Sequence, residues 1–423
     1  MADTSVSAQA GAASPSVLIV KAGTLIDGSG APPQRGAQLV IQGGRIVEVR
    51  DDGDVPSDAT VLDYSSQTVT PGLIDCHVHL TFSAGPDPLA DLLVEDDAAL
   101  LLHASHNARV ALAAGITTVR DLGDRAGVAR RLRDGIRKGI ASGPRIMTAG
   151  APITITGGHC HFLGMEADSE DDVRRIARLQ IKAGVDCLKI MASGGRMTPG
   201  TNPNLPQYTV PQVRAAVEEA RRAEMTIAAH ALSADSIRVA AEAKVDTVEH
   251  CNWLARGEGL AFDESTAVLM RDNGVAFDPT LTPVQSFLRS DPALRTPVQA
   301  RAIAIREELL TVFRRMLELG VTLVAGTDAG TRGSTLDRLP GEIALYVEQL
   351  GLSPVAAIHA ATGRAAAVLG LGAEVGTLQA GRQADLLVVD GDPSADIGVL
   401  GRARAVFQAG RLVAEDGRLL AAS

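Results

Sequence analysis

Two histidines one residue apart, His77 and His79, end an apolar run that begins at Leu73. Alternate side chains of a β-strand point to opposite faces, so these two imidazoles share one face of the predicted strand. Imidazole is a common ligand of zinc, iron and nickel. The pair therefore predicts a two-pronged metal site at a strand end, although an H-x-H pair alone also occurs on solvated strand edges.

Four more candidate ligands each end a strand-like apolar run further along the chain: Lys189, His230, His250 and Asp328. Amphipathic stretches rich in alanine and arginine separate these runs, for example at residues 211–223 and 300–319. Strands that alternate with helices predict βαβ units and a parallel sheet. Polar residues at the C-terminal ends of such strands are typical of the active site of a (β/α)8 barrel. We therefore expect the candidate ligands to meet at one end of a TIM barrel.

This ordered set resembles the ligand set of the amidohydrolase superfamily, in its branch with two metals and a carboxylated lysine. The resemblance extends over about residues 17–417. The family's metal ligands correspond here to His77, His79, Lys189, His230, His250 and Asp328. The resemblance implies that carbon dioxide carboxylates Lys189, so that the resulting carbamate bridges two divalent ions. Zinc is the expected metal, with manganese and cobalt as alternatives, because imidazole and carboxylate ligands suit several ions.

These residue types suit hydrolysis. A lysine ligates a metal only without its extra proton, and burial lowers the pKa of a lysine. A water molecule shared by two divalent ions loses a proton near neutral pH. We expect Asp328 to be the catalytic residue that accepts this proton and later passes it to the leaving amine. The structural alternatives are a salt-bridged lysine at position 189 and a helix N-cap at position 328.

Substrate contacts are expected from the loops at the mouth of the barrel. Two glycines precede His159 and permit backbone shapes that turn this histidine inward. The resemblance implies that His159 and Tyr208 bind the carboxylate of the substrate's C-terminal residue, as in peptidase-like members, with His161 as a rim candidate. The alternatives are a turn histidine at 159 and a packed aromatic at 208. Arg196 offers a further positive charge, with a solvated arginine as its alternative.

The resemblance implies a binuclear metallopeptidase-like amide hydrolase. The expected reaction releases the C-terminal residue from dipeptides or N-acyl amino acids, as in Xaa-Pro dipeptidase-like, carboxypeptidase-like and ochratoxin-amidase-like members. One alternative is a deaminase or cyclic-amide hydrolase similar to imidazolonepropionase, whose single-metal members lack the bridging lysine. Another is a metal-free, non-enzymatic assembly protein, which the intact ligand set disfavours.

Strand-like runs at both ends of the chain predict a second, smaller domain. We expect residues 17–71 and 373–423 to pair as a small β-sandwich flanking a hydrolase barrel at residues 72–372, with Gly43 and Gly44 forming a hairpin turn. Residues 1–16 are rich in alanine and serine and predict a disordered tail. Asp121, at the end of the second barrel strand, is expected to orient a metal ligand or to pair with Arg120.

Composition excludes several other classes. The 423 residues suffice for a barrel and an annex, and a net charge of -10 without a basic run disfavours nucleic-acid binding. No apolar stretch approaches the length of a membrane span. The four cysteines lack CxxC spacing, which favours free thiols and a cytoplasmic enzyme. The resemblance also implies a homo-oligomer, because relatives are often octamers.

Overall fold

The computed structural model describes residues 17–51, 53–289 and 291–421, so the predicted tail at residues 1–16 lies outside it. The strands β1 to β17, in chain order, are Leu18–Leu25, Gln34–Gln42, Arg45–Arg50, Thr60–Pro71, Leu73–Val78, Ile116–Asp121, Arg145–Thr148, Ile153–Thr154, Met165–Glu166, Cys187–Met191, Thr226–Ser233, Thr247–Leu254, Ala276–Asp278, Leu386–Val389, Ala403–Gln408, Arg411–Glu415 and Arg418–Leu419. The helices α1 to α13 are Pro88–Val94, Asp97–Ala113, Val128–Arg137, Glu170–Ala183, Val210–Arg222, Ala234–Ala243, Glu264–Asp272, Thr282–Arg289, Pro297–Ala304, Arg306–Glu318, Leu339–Leu350, Pro354–Ala360 and Gly363–Val368. Short 3-10 helices lie at His161–Leu163, Pro292–Leu294 and Ile397–Gly401.

The middle of the chain alternates parallel strands with helices, which confirms the predicted α/β class. Strands β5, β6 and β7 form one parallel sheet, and a second has the order β13-β12-β11-β10-β8-β9. Residues 321–329 connect the two sheets, because Leu323 bridges Phe277 of β13 and Ala329 bridges Val78 of β5. This segment makes single bridges instead of the regular strand predicted there. The carboxyl ends of the parallel strands consequently lie on one side of the molecule.

Strands from both ends of the chain join in a single eight-stranded sheet of order β17-β16-β15-β14-β4-β1-β2-β3. The junction is antiparallel, with Val69 of β4 opposite Val388 of β14. Both ends also contribute to one apolar cluster that contains Val20, Leu39 and Phe407. The predicted partnership of the two ends in a small β domain is therefore present in part, as one continuous hydrogen-bonded sheet.

Local sequence explains how the sheets meet. Gly72 separates β4 from β5, and a Cβ atom there would lie 2.2 Å from Thr117 Oγ1, so only glycine allows this close approach. The predicted hairpin turn is present, because both Gly43 and Gly44 have positive φ between β2 and β3. The predicted helix at 300–319 is divided at Ile305 into α9 and α10.

Apolar burial follows the predicted alternation of elements. Every residue of β5, β6 and β10 is buried, and the main apolar core lies between these strands and the surrounding helices. All four cysteines are buried and free. Across the described ranges, no helix is both long enough and apolar enough to cross a membrane.

Candidate active site

One cavity of about 420 Å³ opens at the carboxyl ends of the parallel strands, and its floor contains all six predicted metal ligands. His77 belongs to β5 and His79 follows it directly, while Lys189, His230 and His250 belong to β10, β11 and β12. Asp328 lies in the segment that bridges β13 and β5. The structure therefore brings together residues that are up to hundreds of positions apart in the sequence.

Three of these side chains converge on one point. His77 Nε2 lies 3.5 Å from Asp328 Oδ1, and His79 Nε2 lies 3.3 Å from the same oxygen. One ligand atom from each of the three residues lies within 4.8 Å of the others. Burial opposes ionisation of Asp328, but His77 and His79 more than offset it and hold the pKa of this carboxyl below its ordinary value. The result is a carboxylate beside two imidazoles, which is a donor set suited to a divalent transition metal.

Three of the four ligand histidines use one ring nitrogen for a hydrogen-bond contact within the protein. His79 Nδ1 lies 3.1 Å from Gly123 O, and His250 Nδ1 lies 2.8 Å from Thr280 Oγ1. His230 is turned the other way, with Nε2 3.2 Å from Gly194 O. Such contacts fix the orientation of a metal-binding imidazole and leave its other nitrogen for the metal.

These imidazoles are mostly neutral, as ligation requires. Burial and the nearby Lys189 lower the pKa of His77 to about 4. Burial and neighbouring histidines hold the pKa of His230 well below its ordinary value, and burial does the same for His250. His79 differs, because Asp328 raises its pKa in spite of burial.

Lys189 is 2% exposed, and its Nζ atom has no hydrogen-bond partner among the described residues. Burial lowers its pKa to about 8. An unpartnered ammonium group is costly in a protein interior. The site therefore fits a lysine that is carboxylated by carbon dioxide and then binds metal ions. The alternative, a salt-bridged lysine, is not found, because Lys189 forms no ion pair with a described residue.

Two of the ligands occupy strained backbone conformations. His250 has φ 66° and Asp328 has φ 52°, both in the left-handed region that non-glycine residues rarely adopt. Strain of this kind costs about 1–3 kcal/mol per residue and is concentrated at functional sites. His250 lies within β12 and Asp328 in the segment that bridges β13 and β5, and both residues line the cavity.

Behind His77 lies a buried ionic group that the sequence analysis missed. Glu249 Oε2 lies 3.1 Å from His77 Nδ1, and Arg120 Nη2 donates a 2.9 Å hydrogen bond to Glu249 Oε1. Asp278 Oδ2 is 3.7 Å from the same Nδ1. Burial works against ionisation of Glu249, but Arg120 keeps its pKa well below the ordinary value, while burial and Glu249 raise that of Asp278 well above. The sequence did contain a sign of this group, because Arg120 and Glu249 are charged residues inside otherwise apolar strand runs.

Asp121 orients the segment after His79 and does not pair with Arg120. Its Oδ2 accepts a 2.7 Å hydrogen bond from the backbone of Leu80, and its Oδ1 accepts one of 3.1 Å from Gly123 N. Since Gly123 O contacts the His79 ring, Asp121 helps to orient His79 indirectly, through the backbone of Gly123. The alternative pairing of Arg120 with Asp121 is wrong, because Arg120 pairs with Glu249.

Of the three predicted substrate-binding residues, only His159 lies at the cavity. His159 lines the cavity, its ring 4.6 Å from that of His230, with Nδ1 2.9 Å from Thr198 Oγ1. Gly195 lies directly beneath this ring, since a Cβ atom at 195 would approach His159 Nε2 to 2.2 Å.

Tyr208 and His161 do not reach the cavity. Tyr208 is 2% exposed and donates a 2.8 Å hydrogen bond to Ala167 O, immediately before the cap of α5. His161 is exposed, in a 3-10 helix, with its ring 6.0 Å from that of Phe162. The structure thus gives Tyr208 a packing role, its structural alternative, in place of the predicted contact with substrate. Arg196, by contrast, lines the cavity.

A largely apolar part of the cavity lining comes from α8 and α10 together with the residues that flank them. Its apolar side chains include Phe287, Leu309, Leu310 and Phe313. The N-terminus of α8 is held by Glu342, whose carboxylate accepts hydrogen bonds from the backbone of Leu281 and Thr282. Pockets of this type bind ligands that combine a sizeable apolar group with a few polar groups.

Comparison with known proteins extends this description. The model of the amidohydrolase family matches residues 68–413. The chain belongs to the amidohydrolase family. This confirms the resemblance, and the protein is accordingly a hydrolase that acts on amide bonds.

Individual relatives cover nearly the whole of this amidohydrolase. It is 31% identical to an ochratoxinase of Aspergillus niger over 427 aligned residues, which cover 92% of this chain and 84% of the relative. A solved structure of a Xaa-Pro dipeptidase superposes with a TM-score of 0.84 at 30% identity, covering 94% of this chain and 99% of that one. An imidazolonepropionase of Salinispora tropica is 26% identical, with 84% and 86% of the two chains covered.

Proposed function

We propose that this amidohydrolase is a binuclear metal-dependent enzyme that releases the C-terminal residue from dipeptides or N-acyl amino acids. The observation that carries the proposal is the meeting of six ligand-type side chains in one cavity, among them Lys189, whose buried amine has no hydrogen-bond partner among the described residues. Similarity to a Xaa-Pro dipeptidase and to an ochratoxinase supports this substrate class. The parallel strands, linked at residues 321–329, support closure of the central sheets into a (β/α)8 barrel.

The donor set divides into two groups. His77, His79 and Asp328 would hold one ion, and His230 and His250 the other, with the carboxylated Lys189 amine shared by both. Zinc suits these imidazole and carboxylate donors, and manganese and cobalt are the alternatives. Such ions, when bound, polarise the amide carbonyl and lower the pKa of a water molecule.

The amine of Lys189 is prepared for carboxylation. With a pKa of about 8, roughly a tenth of this group is neutral at pH 7. Only the neutral amine has the lone pair that attacks carbon dioxide, and the proton it loses leaves to solvent through the open cavity. Addition of carbon dioxide changes a buried cation, unpartnered among the described residues, into an anion facing four histidines.

Asp328 is positioned to move the reaction's protons. Its Oδ1 faces the imidazoles of His77 and His79, and its low pKa keeps it ionised and able to accept a proton from the attacking water. The same carboxyl then donates that proton to the departing amine nitrogen, without which the C–N bond breaks slowly. His159, neutral because burial and Lys189 lower its pKa to about 3, would contact the substrate through Nε2.

The test combines a substrate screen with variants of Lys189. Purified protein loaded with zinc, manganese or cobalt is incubated with Xaa-Pro, Xaa-Phe and Xaa-Arg dipeptides and with N-acyl amino acids, and release of the C-terminal residue is measured. Lys189→Ala is expected to abolish turnover and to lower the bound metal from two ions per chain. Lys182→Ala, at an unrelated lysine in the last turn of α4, is the matched control. Wild-type turnover by Lys189→Ala would contradict the bridging role.

Similarity to imidazolonepropionase supports a second candidate, hydrolysis of a cyclic amide. Ring opening of imidazolone propionate by the same preparations, without release of amino acids from the dipeptides, would favour it. The buried Lys189 amine argues for the first candidate, because the single-metal members of this group lack such a lysine.

A further inference from the structure

Arg196 is a cationic side chain that lines the metal-site cavity without an ion pair. It lies in the loop after β10 and is half-buried, and no described residue forms a hydrogen bond or salt bridge with its guanidinium. The loop is tied to the site, since Thr198 Oγ1 contacts His159 Nδ1 and accepts a hydrogen bond from Cys160 N. The position of Arg196 is thus linked to the ring of His159.

The absence of a partner is unusual for a group in this environment. Burial and the nearby Arg301 lower the pKa of Arg196 to about 10, which still leaves it charged at neutral pH. A guanidinium removed from water is stabilised by a carboxylate or phosphate that accepts its parallel N–H groups. No described residue supplies such an anion to Arg196. A carboxylate or phosphate on a bound ligand would therefore be a favourable partner for this guanidinium.

Other charges around the cavity do not serve this purpose. Arg306 is paired with Glu307, and Arg332 is exposed on the loop after Asp328. Buried His159 is neutral, because its pKa is lowered to about 3. Lys189 also lines the cavity, but the proposed carbamate makes it anionic. Among the other described residues of the cavity, Arg196 is therefore the positive group placed to meet an anion.

We propose that Arg196 is the specificity-determining residue of this enzyme and binds the carboxylate of the amino-acid portion of the substrate, while the apolar wall of α8 and α10 receives the apolar portion. This inference rests on the proposed function and replaces Tyr208 in the role of carboxylate ligand. The carboxylate accepts two parallel N–H groups of Arg196, and His159 offers a further contact beside it. The arrangement favours an N-acyl amino acid with a free carboxylate over its neutral amide.

The test compares a free acid with its amide. N-benzoyl-L-phenylalanine and its C-terminal primary amide are hydrolysed by wild-type enzyme, Arg196→Met and Arg196→Lys, and release of benzoate is measured. Arg196→Met is expected to lower kcat/KM for the acid by about thirtyfold or more, mainly through KM, while kcat/KM for the amide changes less than about threefold. Arg196→Lys is expected to recover part of the preference, because lysine keeps the charge but not the paired N–H groups.

Arg332→Met is the matched control, since Arg332 is also an arginine of the cavity wall without an ion pair to a described residue, but an exposed one. An exposed charge attracts an anion weakly through water, so its removal should change the acid-to-amide ratio less than about threefold. An unchanged ratio in Arg196→Met, or a larger loss in Arg332→Met, would overturn the assignment.

A binding measurement separates this inference from the proposed function. Inhibition or calorimetric binding of 4-phenylbutyrate is compared with that of 4-phenylbutyramide on the zinc-loaded protein. Tighter binding of the acid by wild type, lost in Arg196→Met, supports the anion site even if the screened amides are not hydrolysed. Equal binding of acid and amide by both proteins overturns the assignment even if hydrolysis is observed.

Discussion

Replacing Glu249 by glutamine should weaken metal binding without removing any of the six proposed ligands. Glu249 Oε2 lies 3.1 Å from His77 Nδ1, so its negative charge favours the ring orientation in which Nε2 faces Asp328. Loss of such an outer partner lowers metal affinity by about 10–100-fold, which corresponds to about 1.4–2.7 kcal/mol. Glutamine keeps the shape of the side chain but loses its charge, so we expect a loss in this range.

Glutamine at 249 also leaves Arg120 without its anion. Both side chains are fully buried, and breaking a buried ion pair from one side costs about 3–5 kcal/mol of stability. The thermal midpoint of Glu249→Gln should therefore fall as well, and folding has to be verified by circular dichroism before metal is measured. Glu249→Asp, which keeps the charge and shortens the reach, provides a second variant that preserves the partner of Arg120.

The assay measures zinc affinity against a chromogenic chelator, with metal content after dialysis as a second readout. Glu219→Gln is the matched control, because Glu219 is a buried glutamate held by Arg174, Arg178 and Arg222, on α5. This variant should keep wild-type affinity. Wild-type zinc affinity in a folded Glu249→Gln protein would refute the argument that Glu249 orients His77.

Three other outcomes are expected. Burial raises the pKa of Glu342 to about 7 from 4.5, so the folded protein holds a proton there between these pH values that the unfolded chain has lost. The free energy of unfolding therefore falls as pH rises from about 4.5 to 7, by at most about 1.4 kcal/mol per pH unit from this group. Glu342→Gln should make the unfolding free energy, measured with urea, less dependent on pH in this range. Parallel pH profiles of the variant and the wild type would exclude this contribution. Gly195→Ala should displace the His159 ring and raise KM for N-acyl amino acids by about tenfold or more, since a displacement of about 1 Å can have such an effect. Gly341→Ala, where a Cβ atom meets nothing within 4 Å, should leave KM unchanged. Equal KM values for the two variants would show that Gly195 does not position the His159 ring. Metal-stripped enzyme reloaded with zinc should regain activity only with bicarbonate present, and faster as pH rises toward 8, because Lys189 must lose a proton first; full recovery without carbon dioxide would exclude the carbamate.

The sequence predicted the part of the site that depends on strand periodicity. His77 and His79 lie on one face because strand side chains alternate, and His230 and His250 follow from the same logic on later strands. The α/β class and the pairing of the two chain ends were predicted for similar reasons, since alternation and turn residues are local signals.

The sequence could not predict which distant residues a given side chain contacts in the folded protein. Tyr208 sits in a loop of suitable composition, but its hydroxyl is taken by Ala167 O, a partner 41 residues away. Glu249 is a polar residue in a largely buried strand, and its importance depends on Arg120 from another strand. Long-range pairs of this kind leave no periodic pattern in the sequence, so one amino-acid sequence taken by itself does not reveal them.

The pairing of β4 with β14 has a consequence for how the polypeptide matures on the ribosome. Strands β1 to β4 are synthesised first, yet one edge of β4 receives its neighbour only after the whole catalytic portion has been translated. Until then, unsatisfied amide and carbonyl groups face outward and invite pairing with other nascent chains. Yield in a heterologous host should therefore depend on chaperone supply and growth temperature, and removal of the last strands should lead to inclusion bodies even though no catalytic side chain is lost.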